Sequence, residues 1–410
     1  MSDKKKLLLC IPDFPFPARK NGISIRYYPI LENAAKSFDI HLIAITNSTP
    51  KSADMETAKS ICSKVSVFTR THKKVGALQK IKARFKSLIP NQTPFDYVHY
   101  DEQQIANFIK NETAGTEYDV ALSVLITHQK WVRKYVSAKR HTLDVIDSPY
   151  STRLRTQKPG LLNRYDSWMV RKWEQNAVNS CDYACYISPL DKAIALGDLP
   201  AKNVGIIPNG LYLQDYSTEK MGFGCTTIGY LGNMAYPPNI RAAIRLYRIF
   251  KTLSGTAPDT KLVIIGRTPA AEIQALAEDP NVIVTGSVDN IWPYVNGVDA
   301  FVFPMEIGSG QQNKLLETMG AGKPVISTEL GNSGIGAQHN EQLIVANTDA
   351  EIAQAVTSML SDAQARENMG FNAREFVNQR YSWESIFSLI DQTLLNTKNN
   401  NIAPDGHYKK

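Results

Sequence analysis

Short apolar runs alternate with longer amphipathic stretches along most of this chain. Runs at Leu7–Ile11, Ile40–Ile45, Val65–Phe68, Val120–Leu125, Leu143–Ile146 and Tyr183–Ile187 are too short for helices and lack the alternation of a strand wetted on one face. They predict strands buried on both faces. Segments of helical period separate them, the first from about Ile25 to Lys36. A second series starts with Thr227–Leu231 and continues through Leu262–Ile265, Val282–Thr285, Ala300–Phe303, Pro324–Ser327 and Leu343–Val345. Alternating strands and helices imply α/β architecture with parallel sheets covered on both faces, here in two doubly wound halves.

The break between the halves falls at Ile206-Ile207-Pro208-Asn209-Gly210, a strand closing in a turn dipeptide before a polar stretch up to Gly224. The expected domains are 1–206 and 207–397, followed by a disordered tail, 398–410, that contains Asn399-Asn400-Asn401. Ligands of open parallel sheets bind beyond the C-terminal strand ends, so two facing sheets place the expected site in the cleft between them.

Composition narrows the class. The 410 residues, 43% hydrophobic and 21% charged, fit two globular domains of ordinary size. The run Leu7–Pro12 after Lys4-Lys5-Lys6 is too short for a signal segment, and no stretch approaches a membrane span, so the expected location is the cytoplasm. Five scattered cysteines, with Cys181 and Cys185 the one close pair, match no zinc or redox spacing. No metal is expected.

A net charge of +7 is compatible with nucleic acid, an anionic membrane or phosphorylated substrates, so distribution matters more than the total. Lys73, Lys74, Lys80, Lys82, Arg84 and Lys86 interleave with Val75, Leu78, Ile81, Phe85 and Leu88 at helical spacing. Two readings stand: a helix lying on an anionic membrane surface, which would put the protein at the inner face of the membrane, or a domain helix with its apolar stripe in the core.

The densest candidate chemistry is Ile307–Thr328, IGSGQQNKLLETMGAGKPVIST. A glycine turn before a helix can bring backbone N–H groups to an anion. The dinucleotide fingerprint fails at Asn313, and the Walker pattern fails because Pro324 follows Gly322-Lys323. From about Gln312 the residues read as a short helix with Leu315, Leu316 and Met319 apolar and Asn313, Lys314 and Glu317 polar. An ammonium suits a diphosphate and a carboxylate accepts both hydroxyls of a ribose, which together describe a nucleotide-sugar; a surface ion pair between Lys314 and Glu317 is the other reading.

The order of these motifs resembles the retaining glycosyltransferases of the family-4 type, which have the two-domain GT-B fold. The resemblance lies in IIPNG at 206–210, IGYLGNMAYPPN at 228–239, KLVIIGRTP at 261–269, VIVTGSVDNIWPYV at 282–295 and the stretch 300–328, and more loosely in 12–46 and 144–148. GQQNKLLETM is similar to a subset associated with bacterial exopolysaccharide sugar transfer. The resemblance implies two Rossmann-like domains facing across a cleft, the second holding the donor. It implies that Glu317 binds the donor ribose while Lys314 and the backbone of Gly308, Ser309 and Gly310 hold the diphosphate, with Asn313 a further donor-binding residue. Gly22, after Asn21, and Arg26 one turn later are implied donor-phosphate contacts from the first domain. His128 stands near the place of an active-site histidine, and Asp147 either orients an acceptor or caps a helix.

The sequence departs from the family at two places. Ser309 stands where an upstream acid is usual, the nearest acid being Glu306. The usual Arg and Lys after the first strand of the second domain are replaced by Gly232-Asn233-Met234 and Pro237-Pro238-Asn239, leaving Arg267 as a substitute cation near base or phosphate. The implied function is metal-independent, retaining transfer of a sugar from a nucleotide-diphosphate-sugar to an acceptor hydroxyl in bacterial cell-surface glycan assembly. No cofactor and no nucleic acid are expected; the partners are the donor and a glycan or lipid-linked oligosaccharide acceptor. The alternative is a non-catalytic homologue that binds a nucleotide-sugar or scaffolds another transferase.

Overall fold

The structure, a computed structural model, describes residues 4–18, 20–70, 76–87, 89, 92–98, 101–157, 160–199, 203–212, 216–255, 257–307 and 310–397. The expected tail at 398–410, the positions Gly308 and Ser309, and Lys73, Lys74, Val75 and Leu88 of the basic stretch lie outside these residues. The chain divides into two compact units, 1–208 with 386–410, and 209–385. The reading from sequence placed all of 207–397 in the second domain. Residues 386–395 instead group with the first, where Ile386, Ile390, Leu394 and Leu395 are buried.

The first unit carries strands β1 (Lys5–Ile11), β2 (Phe38–Thr46), β3 (Lys64–Thr69), a two-residue β4 (Glu117–Tyr118), β5 (Val120–Val124), a two-residue β6 (Ser137–Ala138), β7 (His141–Ile146), β8 (Tyr183–Tyr186) and β9 (Val204–Ile206). Seven of them form a parallel sheet in the order β3-β2-β1-β5-β7-β8-β9. Leu7 to Ile11 are each at most 1% exposed. That is why the strand is apolar throughout: helices cover both faces. The helix Gly22–Ala34 begins three residues earlier than its apolar period indicated, because Asn21 and Ser24 close a capping box.

The second unit carries β10 (Thr226–Leu231), β11 (Thr260–Ile265), β12 (Val282–Val284), β13 (Ala300–Phe303), β14 (Val325–Ser327) and β15 (Ile344–Val345), parallel in the order β12-β11-β10-β13-β14-β15. The chain moves outward from β10 through β11 to β12, then returns to the other side of β10 with β13. Adjacent crossovers therefore leave in opposite directions between β10 and β13. Such a reversal opens a crevice at the C-terminal strand ends.

Candidate functional site

A cavity of the second unit lies at that reversal. It encloses about 710 Å³ and is lined by Gly232, Asn233, Tyr236 and Asn239 after β10, Gly266 and Arg267 after β11, Gly286 after β12, and Gln311 to Lys314 with Glu317 after β13. Glycine is required where two strand ends converge. A Cβ on Gly266, at φ +156°, would meet the Gly232 carbonyl oxygen at 1.7 Å.

The helix Asn313–Gly320 supplies the chemistry. Its spacing buries Leu315, Leu316 and Met319 and leaves Asn313, Lys314 and Glu317 along the cavity. Lys314 Nζ donates to Tyr230 Oη at 3.2 Å and to Asn239 Oδ1. Tyr230 Oη donates to the same Asn239 oxygen at 3.1 Å, and Asn239 Nδ2 donates to the Asn233 carbonyl at 3.0 Å. These partners are all neutral, so burial is not offset and pushes the Lys314 ammonium down to about 8. An anionic ligand would raise that value again. Asn313 Oδ1 is buried without a hydrogen-bond partner in the same wall.

The loop before this helix is anchored from the side. Gln311 accepts from the Asn209 N–H at 2.7 Å and donates to the Asn209 carbonyl at 3.1 Å, matching both main-chain groups with one amide. Gly310 takes φ 63°, and its carbonyl oxygen packs so closely on Gly334 that a Cβ there would stand 2.1 Å away. Glu306 lies 3.9 Å from Arg245 Nε. Lys323, from the failed Walker match, donates to the carbonyls of Asn296 and Val298.

Five expected site residues thus meet in or beside one cavity: Arg267, Gly310, Asn313, Lys314 and Glu317. Arg267 is exposed at its edge. The surface ion pair between Lys314 and Glu317 gives way to the Tyr230 and Asn239 contacts. Neither of these two partners was singled out from sequence. Tyr230 reads as one more apolar strand residue, and the available signal was Asn239, a polar residue after two prolines that ends up 6% exposed.

The first-unit expectations fare differently. Gly22 is exposed at the first turn of its helix, where a Cβ would meet nothing. Arg26 is corrected: it is 1% exposed, with Nε 2.7 Å from Asp144 Oδ2, Nη1 donating to the Pro208 carbonyl and Nη2 to that of Ile207. A guanidinium enclosed in this way cannot serve as a phosphate contact. His128, expected near an active-site position, lies on the first turn of the helix Ile126–Tyr135, 2% exposed and edge-on to Trp131. The helix Pro149–Thr156 is capped by Ser148, whose hydroxyl accepts from the Ser151 N–H, and not by Asp147.

Comparison with known proteins bears on the same unit. Residues 225–362 match the family model Glycosyl transferases group 1. The chain is 22% identical over 405 residues to an uncharacterized 44.6 kDa protein in the cps region of Klebsiella pneumoniae, covering 94% of this chain and 98% of that one. It is 26% identical over 179 residues to the capsular polysaccharide biosynthesis glycosyltransferase CapM of Staphylococcus aureus, covering 41% and 46%. Sucrose-phosphate synthase from Thermosynechococcus elongatus superposes with a TM-score of 0.67 at 14% identity, over 95% of this chain and 98% of that one. Anabaena HepE in complex with UDP-glucose superposes with a TM-score of 0.61 at 13% identity, over 95% and 99%. The fold is GT-B, with two Rossmann-like domains.

Proposed function

We propose that the chain transfers a sugar from a nucleotide-diphosphate-sugar to a hydroxyl of a glycan or lipid-linked oligosaccharide, with retention at the anomeric carbon, in bacterial cell-surface polysaccharide assembly. The observation that carries this reading is the cavity between the ends of β10 and β13, lined by Lys314, Glu317 and Asn313 inside the segment that matches the glycosyltransferase model. HepE, with its bound UDP-glucose, and CapM, with its role in capsule synthesis, support the donor class and the setting.

In this reading Lys314 neutralises charge on the departing diphosphate, helped by the N-terminal end of its own helix, so no metal is invoked for that task. Glu317 accepts from the ribose hydroxyls. Asn313 offers its unpartnered Oδ1 to a donor group of the ligand, and Arg267 faces base or phosphate from the rim. Calorimetry with UDP-, GDP-, ADP- and dTDP-sugars tests the reading. One of them binds the wild type and binds Glu317→Ala at least about tenfold more weakly, the loss of a charged hydrogen bond. Absence of binding by every donor overturns the proposal and favours a scaffold that has lost its donor site.

A further inference from the structure

The helix Ala77–Lys86 does not turn its apolar stripe into the core. Leu78, Ile81 and Phe85 are 67%, 52% and 69% exposed. At about 100° per residue they fall within an arc of about 60°, with Lys82 and Lys86 on one side and Arg84 on the other. The helix Leu161–Asn179 does the same in its first two turns, where Leu161, Leu162 and Trp168 are 83%, 79% and 43% exposed and the Tyr165 ring lies tilted against Trp168 with centroids 5.7 Å apart. Arg84 Nη2 bonds Asp166 Oδ2 at 2.9 Å, joining the two helices one residue before Phe85 and one after Tyr165. Two protruding apolar rows therefore share one neighbourhood of the first unit.

The charge around them is mostly positive, with Glu102, paired to Lys130 and near Lys86, the carboxylate at its edge. Residues 76–98 hold four Lys and Arg and residues 149–172 hold six, against a single Asp in each segment. Both aspartates, Asp96 and Asp166, are engaged by Arg153, leaving the exposed Lys80, Lys82, Lys86, Arg164 and Lys172 uncompensated by them. Apolar groups left in water at this density mark a surface that is covered in use. Side chains that project from a cationic rim suit a deformable anionic layer, with Leu, Phe and Trp in the acyl boundary and Lys and Arg at the phosphates.

We propose that the face carrying Leu78, Ile81, Phe85, Leu161, Leu162 and Trp168 is a docking surface for an anionic lipid bilayer. The proposal does not rest on the donor-site reading, since it uses no residue of the second unit. It predicts peripheral attachment: among the described residues no helix is long and apolar enough to cross a membrane.

Co-sedimentation of the full chain with vesicles tests it. Binding to phosphatidylcholine mixed with phosphatidylglycerol is at least about tenfold tighter than to phosphatidylcholine alone, and falls about fivefold for each cation removed, as in Lys82→Gln and Lys86→Gln. The double variant Phe85→Ser and Leu161→Ser, both at exposed positions and leaving the fold intact by circular dichroism, loses binding. Lipids brominated in the acyl chain quench the fluorescence of Trp168, and Trp168→Phe removes that quenching. The proposal is overturned if the chain ignores anionic vesicles, if binding survives the double variant, or if the same variants abolish self-association or binding to an acidic protein while vesicle binding is absent.

Discussion

Arg26 Nε lies 2.7 Å from Asp144 Oδ2, with the two side chains 1% and 0% exposed. Asp144 also accepts from Tyr27 Oη at 2.5 Å and from the Ile146 N–H at 3.1 Å, so its charge is met on several sides. Removing one partner leaves the other charged and buried. Arg26→Ala is expected to destabilise the protein by about 3–5 kcal/mol in urea unfolding. The double variant with Asp144→Ala costs clearly less than the sum of the single changes, because no lone charge remains.

If the proposed donor site is right, Lys314 is expected to make donor binding depend on pH. Its ammonium, held near 8 by burial, is charged in the empty cavity at pH 7 and largely neutral at pH 9. A bound diphosphate raises that value, so binding above pH 8 takes up a proton. Affinity is therefore greatest below about pH 8 and falls as pH rises through it, by at most about tenfold per unit. Calorimetry in buffers of different ionisation heat reads the proton uptake directly. Lys314→Met binds weakly at every pH and shows no such slope.

Gly266 tests the strand-end convergence. Any side chain there meets the Gly232 carbonyl oxygen and takes an unfavourable φ. Gly266→Ala is expected to cost about 2 kcal/mol or more of stability in thermal or urea unfolding and to weaken donor binding as the rim shifts. Gly22→Ala, where a Cβ meets nothing, is the contrasting substitution and leaves stability within about 0.5 kcal/mol.

Glu174 is 0% exposed and accepts from Ser148 Oγ and the Tyr150 N–H, both at 3.0 Å, while its Oε1 has no hydrogen-bond partner. Burial pushes its carboxyl from 4.5 up to about 7. Between those values the folded chain binds the extra proton, so this group's contribution to stability falls as pH rises from 4.5 to 7 and is flat above. Glu174→Gln keeps an acceptor for Ser148 and Tyr150 and removes the titration. It is expected to flatten the slope and to stabilise the protein at pH 8 by roughly 1–3 kcal/mol.

Much of the candidate site was legible because it is local. Lys314 and Glu317 sit three residues apart on one short helix, and the glycines that precede it read as a turn whatever surrounds them. The strand Ala300–Phe303, buried on both faces, matches its apolar run residue for residue, and the other predicted strands differ from the observed ones by one or two residues at an end. What was not legible depends on partners far along the chain. Arg26 looked like a cation awaiting a phosphate, and only the arrival of Asp144, 118 residues away, shows it to be internal. Asn239 and Tyr230 meet Lys314 across 75 and 84 residues.

The amino-acid sequence by itself determined the alternation of buried strands and helices, the two-fold repetition of the doubly wound pattern, and the helix that carries Asn313, Lys314 and Glu317. Each of these follows from periodicity and turn chemistry within a few residues. The tertiary structure alone decided which polar groups are internal and which line the cavity, and whether an amphipathic helix hides its apolar stripe. Leu78, Ile81 and Phe85 have the spacing of a core helix and yet stand in water. Spacing determines which side chains share a face; what covers that face is set by long-range packing, which no local pattern encodes.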